Sequence, residues 1–210
     1  MAKKIDNGRT IVTTFGSDGA CAAALLLKTF PESRIELTSL GRAPETLRQI
    51  ATNANKAGEV VVCGVGVEDV GAITAALDSL RQTGIKVCWY CGRGYLDEVK
   101  PALAPYCEMI TMDCASNAEA IQSQLKLPSD ERTAMLLELA AEFAAKHKSA
   151  SSDNAWWHDY INAAAAKHFQ YGDDNAFLAC IRKLAWLEPV TQADKRLVEM
   201  RLIRRSRDEI

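Results

Sequence analysis

The segment TIVTTFGSDGACAAALLLKTF, residues 10–30, joins a short β-branched run, a glycine-containing loop and an alanine-rich stretch in direct succession. The β-branched run predicts a strand over residues 10–14. The alanines and leucines that follow the loop predict a buried helix over residues 18–30. A strand that leads through a tight turn into a helix is the first half of a βαβ unit, so this segment predicts a parallel sheet covered by helices.

The same alternation of strand and helix patterns continues to about residue 125. Further strands are predicted at residues 34–40, 59–63, 86–90 and 108–112, and further helices at residues 44–57, 68–82, 96–103 and 117–125. The first, third and fourth strands contain near-continuous apolar runs, such as Val60-Val61-Val62-Cys63. Because such runs are typical of strands covered on both faces, we expect these three at the centre of the sheet.

The strand patterns stop near Pro128, and helical periodicity remains at residues 132–146, 155–169, 175–187 and 192–205. We therefore predict an α/β domain over residues 1–127, with a doubly wound, mostly parallel five-stranded sheet, and an all-helical C-terminal region over residues 128–210. The linker at residues 149–152 is too short to separate independent domains. The C-terminal helices should pack on the sheet domain or on a partner.

Composition and charge describe an ordinary globular protein. The chain has 210 residues, of which 48% are hydrophobic and 25% charged, and a net charge of -2 that gives no overall attraction to nucleic acid or to membranes. Seven cysteines, an odd number, and an N-terminus without an apolar stretch predict reduced thiols in the cytoplasm. The longest apolar run, residues 20–27, is too short to cross a bilayer, so no membrane segment is expected.

Three loops carry glycines where predicted strands end, and the carboxyl ends of parallel strands meet at one edge of a sheet. Glycine allows the backbone to approach a bound group, Thr14 and Ser17 offer hydroxyls, and the Arg93 guanidinium suits a phosphate. These loops predict a binding site for an anionic or phosphate-bearing ligand. The candidate ligand-binding residues are Thr14, Gly16, Ser17, Asp18, Gly19, Gly64, Gly66, Gly92 and Arg93.

The alternative for each single loop is that its glycine only makes the turn. The three-glycine fingerprint of dinucleotide sites is incomplete in every loop, and no lysine follows a glycine run as it does in a Walker motif. These absences argue against an ordinary nicotinamide or ATP site.

Residues 12–26, VTTFGSDGACAAALL, resemble the first motif of DHH-type phosphoesterases, in which a histidine and two aspartates precede a glycine and a helix of small residues. Residues 60–64, VVVCG, resemble the second motif, and residues 87–93, VCWYCGR, resemble the third. The resemblance covers residues 1–125, and the helices that follow are similar in kind to the helical portion of that family. It implies a fold built to hydrolyse phosphodiesters or pyrophosphates.

In that family, aspartates and histidines hold a pair of manganese or magnesium ions that activates water. In the register that the three motifs imply, the matching positions here hold Thr14, Gly16 and Asp18 in the first motif, Gly64 in the second, and Cys91, Gly92 and Arg93 in the third. Asp159 is a further candidate for a later acidic ligand. Asp18 and Asp159 are thus the remaining candidate metal ligands, and the resemblance implies a degenerate site in which Arg93 could replace the metal charge.

Three functions remain open from the sequence. The first is a catalytically degenerate protein that binds a nucleotide or another phosphate compound without a metal cofactor. The second is an active phosphoesterase that uses Mn²⁺ or Mg²⁺ with non-standard ligands. The third is an assembly or regulatory subunit without a ligand at this edge.

The remaining patterns favour structural roles. Cys88 and Cys91 have the spacing of zinc or redox pairs but lie across a strand end with no second pair. The histidines all lie in the helical region, where we predict no catalytic triad, and the tryptophans are expected in the core. Six basic residues between positions 195 and 207 predict a solvated helix face, with nucleic-acid contact as the alternative, and the apolar residues among them suggest burial in the chain or in a homodimer.

Overall fold

A computed structural model of the protein describes residues 8–53, 58–91, 98–144, 152–186 and 188–208. The strands in these ranges are β1 (Arg9–Thr14), β2 (Arg34–Thr38), β3 (Glu59–Cys63), β4 (Lys86–Cys91) and β5 (Glu108–Thr111). The helices are α1 (Ser17–Thr29), α2 (Ala43–Thr52), α3 (Val70–Gln82), α4 (Lys100–Leu103), α5 (Asn117–Leu125), α6 (Glu131–Ala144), α7 (Ser152–Tyr171), α8 (Asn175–Trp186) and α9 (Gln192–Asp208).

The five strands form one sheet in the order β2-β1-β3-β4-β5, and every neighbouring pair is parallel. The predicted fold class is confirmed, and the three strands with continuous apolar runs are the interior ones. The chain moves from β1 to β2 on one side and then returns to β3 on the other side of β1. The strand order therefore reverses between β1 and β3, which is the switch point where α/β sheets open a crevice.

Alternate residues of each strand contribute to two separate apolar cores. On one face, Ile11 and Val61 pack with α1, α5 and the C-terminal helices. On the other face, Val12, Val62 and Trp89 pack with α2, α3 and α4. Both faces of the sheet are covered, as the doubly wound prediction requires.

Helix α1 lies at the centre of the first core. Residues 20–27 are at most 2% exposed, because the sheet covers one side of the helix while α6 and α8 cover the other. Small alanine side chains on this helix allow such close packing on several sides. The C-terminal helices thus share their core with the sheet.

A buried polar network joins three of the C-terminal helices. The Asp194 carboxylate of α9 accepts hydrogen bonds from the Tyr160 hydroxyl of α7 at 2.7 Å and from the Thr191 backbone at 2.6 Å. The Lys183 ammonium of α8 lies 3.2 Å from the same carboxylate. Because buried charges need partners, this network fixes how α7, α8 and α9 meet.

Several predicted boundaries shift for local reasons. The strand predicted to reach residue 40 ends at Thr38, because the chain turns at Ser39, whose carbonyl accepts from the Arg42 N–H at 3.1 Å in a 3₁₀ turn. Helix α3 begins at Val70 because the Asp69 side chain caps it, accepting from the Ala72 N–H at 2.9 Å. The ends predicted at residues 57, 146 and 187, and the start at residue 96, lie outside the described residues.

Within the described ranges, none of the helices combines the length and the apolar character that crossing a lipid bilayer would require.

Candidate functional site

The ends of β1 and β3 are joined at the switch point. The Thr14 hydroxyl donates a hydrogen bond of 2.6 Å to the carbonyl of Gly64, which has a positive φ of 68°. One residue earlier, the Thr13 hydroxyl donates to the Gly19 carbonyl at 3.0 Å. The two loops and the first turn of α1 therefore form one fixed unit.

Two of the predicted glycines are required by close backbone approach. A Cβ atom at Gly19 would lie 2.6 Å from the Thr14 carbonyl oxygen, and one at Gly64 would lie 3.0 Å from the Gly19 Cα. Gly16 differs, since a Cβ there would meet nothing within 4 Å and its backbone is extended at a φ of 175°. The glycines at positions 19 and 64 thus pack the site together, whereas Gly16 leaves its loop open.

A cleft with a volume of about 260 Å³ opens at this edge of the sheet. Its lining residues lie at the ends of three neighbouring strands or in the loops after them, with one contribution from α7, and are Thr14, Phe15, Thr38, Ser39, Leu40, Gly64, Gly66 and Phe169. We call it the switch-point cleft. Between the two glycines that line it, the Val65 carbonyl accepts a hydrogen bond of 3.2 Å from the Trp89 indole, which holds this loop to β4.

Aromatic side chains form one wall of the switch-point cleft. The Phe15 ring stacks on His168 of α7 with 3.9 Å between ring centroids, and it also contacts Phe169 at 5.4 Å and Phe177 at 5.1 Å. His168 in turn pairs through Nδ1 with the Asp174 carboxylate. The cleft wall from β1 is therefore supported from behind by α7 and α8.

Helix α7 also reaches the start of α1. The Ser17 hydroxyl, which is fully buried, lies 3.2 Å from Nδ1 of His158. No local pattern in the sequence places a histidine near the loops, whereas the structure brings His158 and His168 to the first loop. His158 and Phe169 are 11 positions apart (169 − 158), about three helical turns, so they share a face. That spacing was visible in the sequence, but nothing local showed that this face meets the sheet edge.

The Asp18 carboxylate is turned toward helix α5. It accepts hydrogen bonds from the Asn117 backbone N–H at 2.9 Å, the Asn117 side-chain amide at 2.6 Å and the Ala118 N–H at 3.3 Å. Negative charge is favoured at a helix N-terminus, where backbone N–H groups lack partners within the helix. Asp18 therefore caps α5 from a neighbouring helix.

The described residues do not supply the donor set that a Mn²⁺ or Mg²⁺ pair needs. Thr14, Gly16 and Gly64 carry no carboxylate or imidazole, and the Asp18 carboxylate serves α5. Asp159 lies half-buried on α7. No group of three or more His, Cys, Asp and Glu side chains able to hold a metal forms among the described residues.

The third predicted loop is not part of the described structure. Gly92, Arg93 and Gly94 lie outside the described residues, so their contact with a ligand stays a prediction.

Two thiols near this edge, those of Cys63 and Cys114, are poor nucleophiles because their pKa is raised. Burial raises the pKa of Cys63 to about 12 and also raises the pKa of Cys114, which keeps both thiols protonated at neutral pH.

Helix α9 divides its apolar residues between the interior and the surface. Val198 is buried, whereas Met200, Leu202 and Ile203 are 51%, 44% and 53% exposed. The basic residues of the helix whose side chains are described, Lys195, Arg196 and Arg201, are exposed or half-exposed.

No family model matches this chain, and no curated protein matches it by sequence. Among solved structures, the chain is similar to RecJ from Thermus thermophilus, whose crystal structure was determined in complex with Mn²⁺. The comparison has a TM-score of 0.45 at 13% sequence identity and covers 93% of this chain. Since it covers 35% of the RecJ chain, this protein spans about a third of the length of RecJ.

Proposed function

We propose that this protein is a catalytically degenerate relative of the DHH-type phosphoesterases that binds a nucleotide or another phosphate-bearing ligand in the switch-point cleft. One observation carries the proposal. An open cleft of about 260 Å³ lies at the reversal of strand order and is lined by residues from two of the three loops that the sequence marks as ligand-binding. Ligands of doubly wound sheets bind outside the carboxyl ends of the strands at this position.

The start of α1 favours an anion next to the cleft. Gly16 caps this helix without a side chain, whereas α3 and α5 are capped by the side chains of Asp69 and Ser116. The cap residue of α1 therefore adds no side-chain acceptor at this helix end. A phosphate group of a ligand in the neighbouring cleft would be stabilised there by the helix dipole.

The donor groups at this edge favour binding over hydrolysis. Phosphoesterase chemistry of the two-metal type needs several carboxylates or imidazoles around one position. Among the described residues, Thr14, Gly16 and Gly64 stand where the resemblance places such ligands. We accordingly assign the protein a ligand-binding role without a metal pair.

Thermal denaturation with a set of phosphate compounds tests the proposal. Nucleotides, sugar phosphates and pyrophosphate are added to the protein in the presence of a chelator. A ligand at about 100 times its Kd should raise Tm by about 5–10 °C. If none of these compounds raises Tm, the proposal is wrong.

A matched pair of variants locates the binding site. Ser39 is half-buried and lines the switch-point cleft, so Ser39→Trp should fill the cleft and remove the ligand-induced rise in Tm. Ser123 is exposed on α5 and does not line the cleft, so Ser123→Trp should keep the full rise. Equal effects of the two substitutions would place the ligand elsewhere on the protein.

Assembly with a partner is a second candidate function, favoured by the exposed Met200, Leu202 and Ile203 of α9. Met200 and Ile203 are three positions apart and so share one side of the helix, and exposed apolar residues grouped in this way often mark a contact with another chain. Light scattering after size exclusion would show a homodimer, and Ile203→Glu should convert it to a monomer. A salt-sensitive association with nucleic acid would instead assign the basic residues of this helix to that role.

A further inference from the structure

We infer that the switch-point cleft takes the flat aromatic base of a free mononucleotide and that Phe169 is the platform on which this base stacks. This inference rests on the proposed function, because it names the part of the ligand that enters the cleft. It is carried by the arrangement of the rings, by the absence of charge on the described lining residues and by the size of the cleft.

Phe169 is placed firmly but left uncovered. Its ring contacts His168 edge-on, with centroids 5.2 Å apart and planes at 80°, and it contacts Phe15 at a tilt of 58°. Despite these two contacts, 68% of Phe169 is exposed. An aromatic side chain that is fixed at the mouth of a cleft with its surface open can stack against another ring at little conformational cost.

Phe15 gives this arrangement its rigidity. Its ring is stacked on His168 and flanked by Phe177, a fully buried side chain of α8. Because α8 also packs against α1, the cleft wall is tied to the core of the fold. A preformed wall lowers the entropy lost on binding, which favours recognition of a rigid planar group.

The described lining of the cleft suits an uncharged ring better than a phosphate. The lining residues named above are threonine, serine, glycine, leucine and phenylalanine, none of which is ionisable. Leu40, which is 47% exposed, adds an apolar surface from the β2 side. The hydroxyl of Ser39, which is half-buried, can hydrogen-bond to the polar edge of a base. The phosphate of the same ligand would then lie outside the cleft, toward the start of α1.

The size of the cleft favours a single nucleotide. A volume of about 260 Å³ lies below the roughly 300–1,000 Å³ typical of pockets for drug-sized ligands. A cleft of this volume suits one ring system and part of a sugar. We therefore assign the cleft to a mononucleotide and not to a single-stranded nucleic acid.

Binding measurements with matched probes test this inference. The four common nucleoside 5′-monophosphates are compared with ribose 5-phosphate, which lacks only the base, and with a short single-stranded oligonucleotide. Stacking of one base on an aromatic side chain corresponds to roughly 5- to 150-fold in affinity. At least one mononucleotide should therefore bind more tightly than ribose 5-phosphate by a factor in that range.

Substitutions of Phe169 connect this preference to the ring. Phe169→Ala should reduce the mononucleotide affinity to that of ribose 5-phosphate and leave the affinity for ribose 5-phosphate unchanged. Phe169→Trp should keep the preference, since it preserves the stacking surface. Met200→Ala removes a comparably exposed apolar side chain from α9, outside the cleft lining, and should change neither affinity.

The outcomes separate the inference from the proposed function. Equal affinities of mononucleotides and ribose 5-phosphate, or a preference that survives Phe169→Ala, would overturn the inference while phosphate binding stands. Tighter binding of the oligonucleotide than of every mononucleotide would also overturn it. If no probe binds at all, the proposed function fails together with the inference.

Discussion

The carboxylate of Asp18 in the first helix caps the fifth helix by accepting from both nitrogens of Asn117, at 2.9 Å from the backbone and 2.6 Å from the side chain. The residue that the sequence marked as a candidate metal ligand thus connects two helices on the same face of the sheet. Its structural role can be tested in the absence of any ligand.

Replacing Asp18 by alanine should destabilise the protein by about 2–3 kcal/mol, because several N–H donors at the start of α5 lose their acceptor. Asp69→Ala, which removes the cap of α3, is the matched control and should cost about 1 kcal/mol. Urea denaturation of the ligand-free protein measures both changes. A variant lacking Asp18 that is as stable as the wild type would contradict the capping role.

Alanine substitutions at three glycines should lower the free energy of unfolding by different amounts, most at Gly64, less at Gly84 and least at Gly16. Gly64→Ala combines a positive φ with a Cβ only 3.0 Å from the Gly19 Cα, so we expect a loss of about 2–4 kcal/mol. Gly84→Ala has a similar φ of 78° but meets no atom within 4 Å, and should lose about 1–2 kcal/mol. Gly16→Ala, with an extended backbone and open space, should be nearly neutral. Chemical denaturation gives the order, and equal losses at positions 64 and 84 would rule out the close contact.

Acid should weaken the C-terminal helical region through Asp194. Burial raises the pKa of the Asp194 carboxyl group. Hydrogen bonds from Thr191, Tyr160 and Lys183 outweigh this effect and lower the pKa to about 2. A lowered carboxyl pKa contributes stability above the unfolded-state value of about 4, and this contribution is lost as the pH falls toward 2. The contribution at neutral pH is about 2 kcal/mol.

The pH dependence of unfolding tests this assignment. Asp194→Asn should be less stable than the wild type at pH 7, and the two stabilities should converge as the pH approaches 2. Asp113→Asn removes an exposed carboxylate next to β5 and should follow the wild-type profile. If the difference between wild type and Asp194→Asn does not depend on pH, the carboxylate is not the group responsible.

Removal of divalent metal should leave ligand binding unchanged. The described residues bring together no set of three metal-binding side chains, so the phosphate-bearing ligand should bind equally well with excess EDTA and with added Mn²⁺. Calorimetric titration under the two conditions is the measurement. Affinity that depends on Mn²⁺, or Mn²⁺-dependent hydrolysis of a phosphodiester, would favour the enzymatic alternative instead.

The sheet could be predicted because each strand is marked by a pattern of neighbouring residues in the sequence. The apolar run at residues 60–63 shows a strand covered on both sides, and the loop after it begins with glycine. The same pattern in β1 and β4 identified the interior strands. Where the prediction of β2 ran too far, the turn at Ser39 depended on a 3₁₀ hydrogen bond that residue composition does not reveal.

The candidate site was only partly predictable, because some of its contacts join distant parts of the chain. Thr14 ends β1, and Gly64 and Gly66 follow β3, so these residues could be assigned to one edge from the topology alone. Phe169 and His158 reach that edge through the packing of α7, which no local pattern encodes. The hydrogen-bond partner of Asp18, Asn117, lies 99 positions away. The sequence therefore marked the Asp18 carboxylate as a candidate site residue but did not show that it points toward α5.

The burial of α1 also has a consequence for how the chain folds during synthesis. Its leucines are covered on one side by α6 and α8, and α8 ends at Trp186, 157 residues after α1 ends (186 − 29). At a translation rate of roughly 5–20 residues per second, the ribosome needs about 8–31 s to complete that covering layer. Throughout this interval the nascent protein exposes an apolar helix, so a chaperone should associate with it until α8 has emerged.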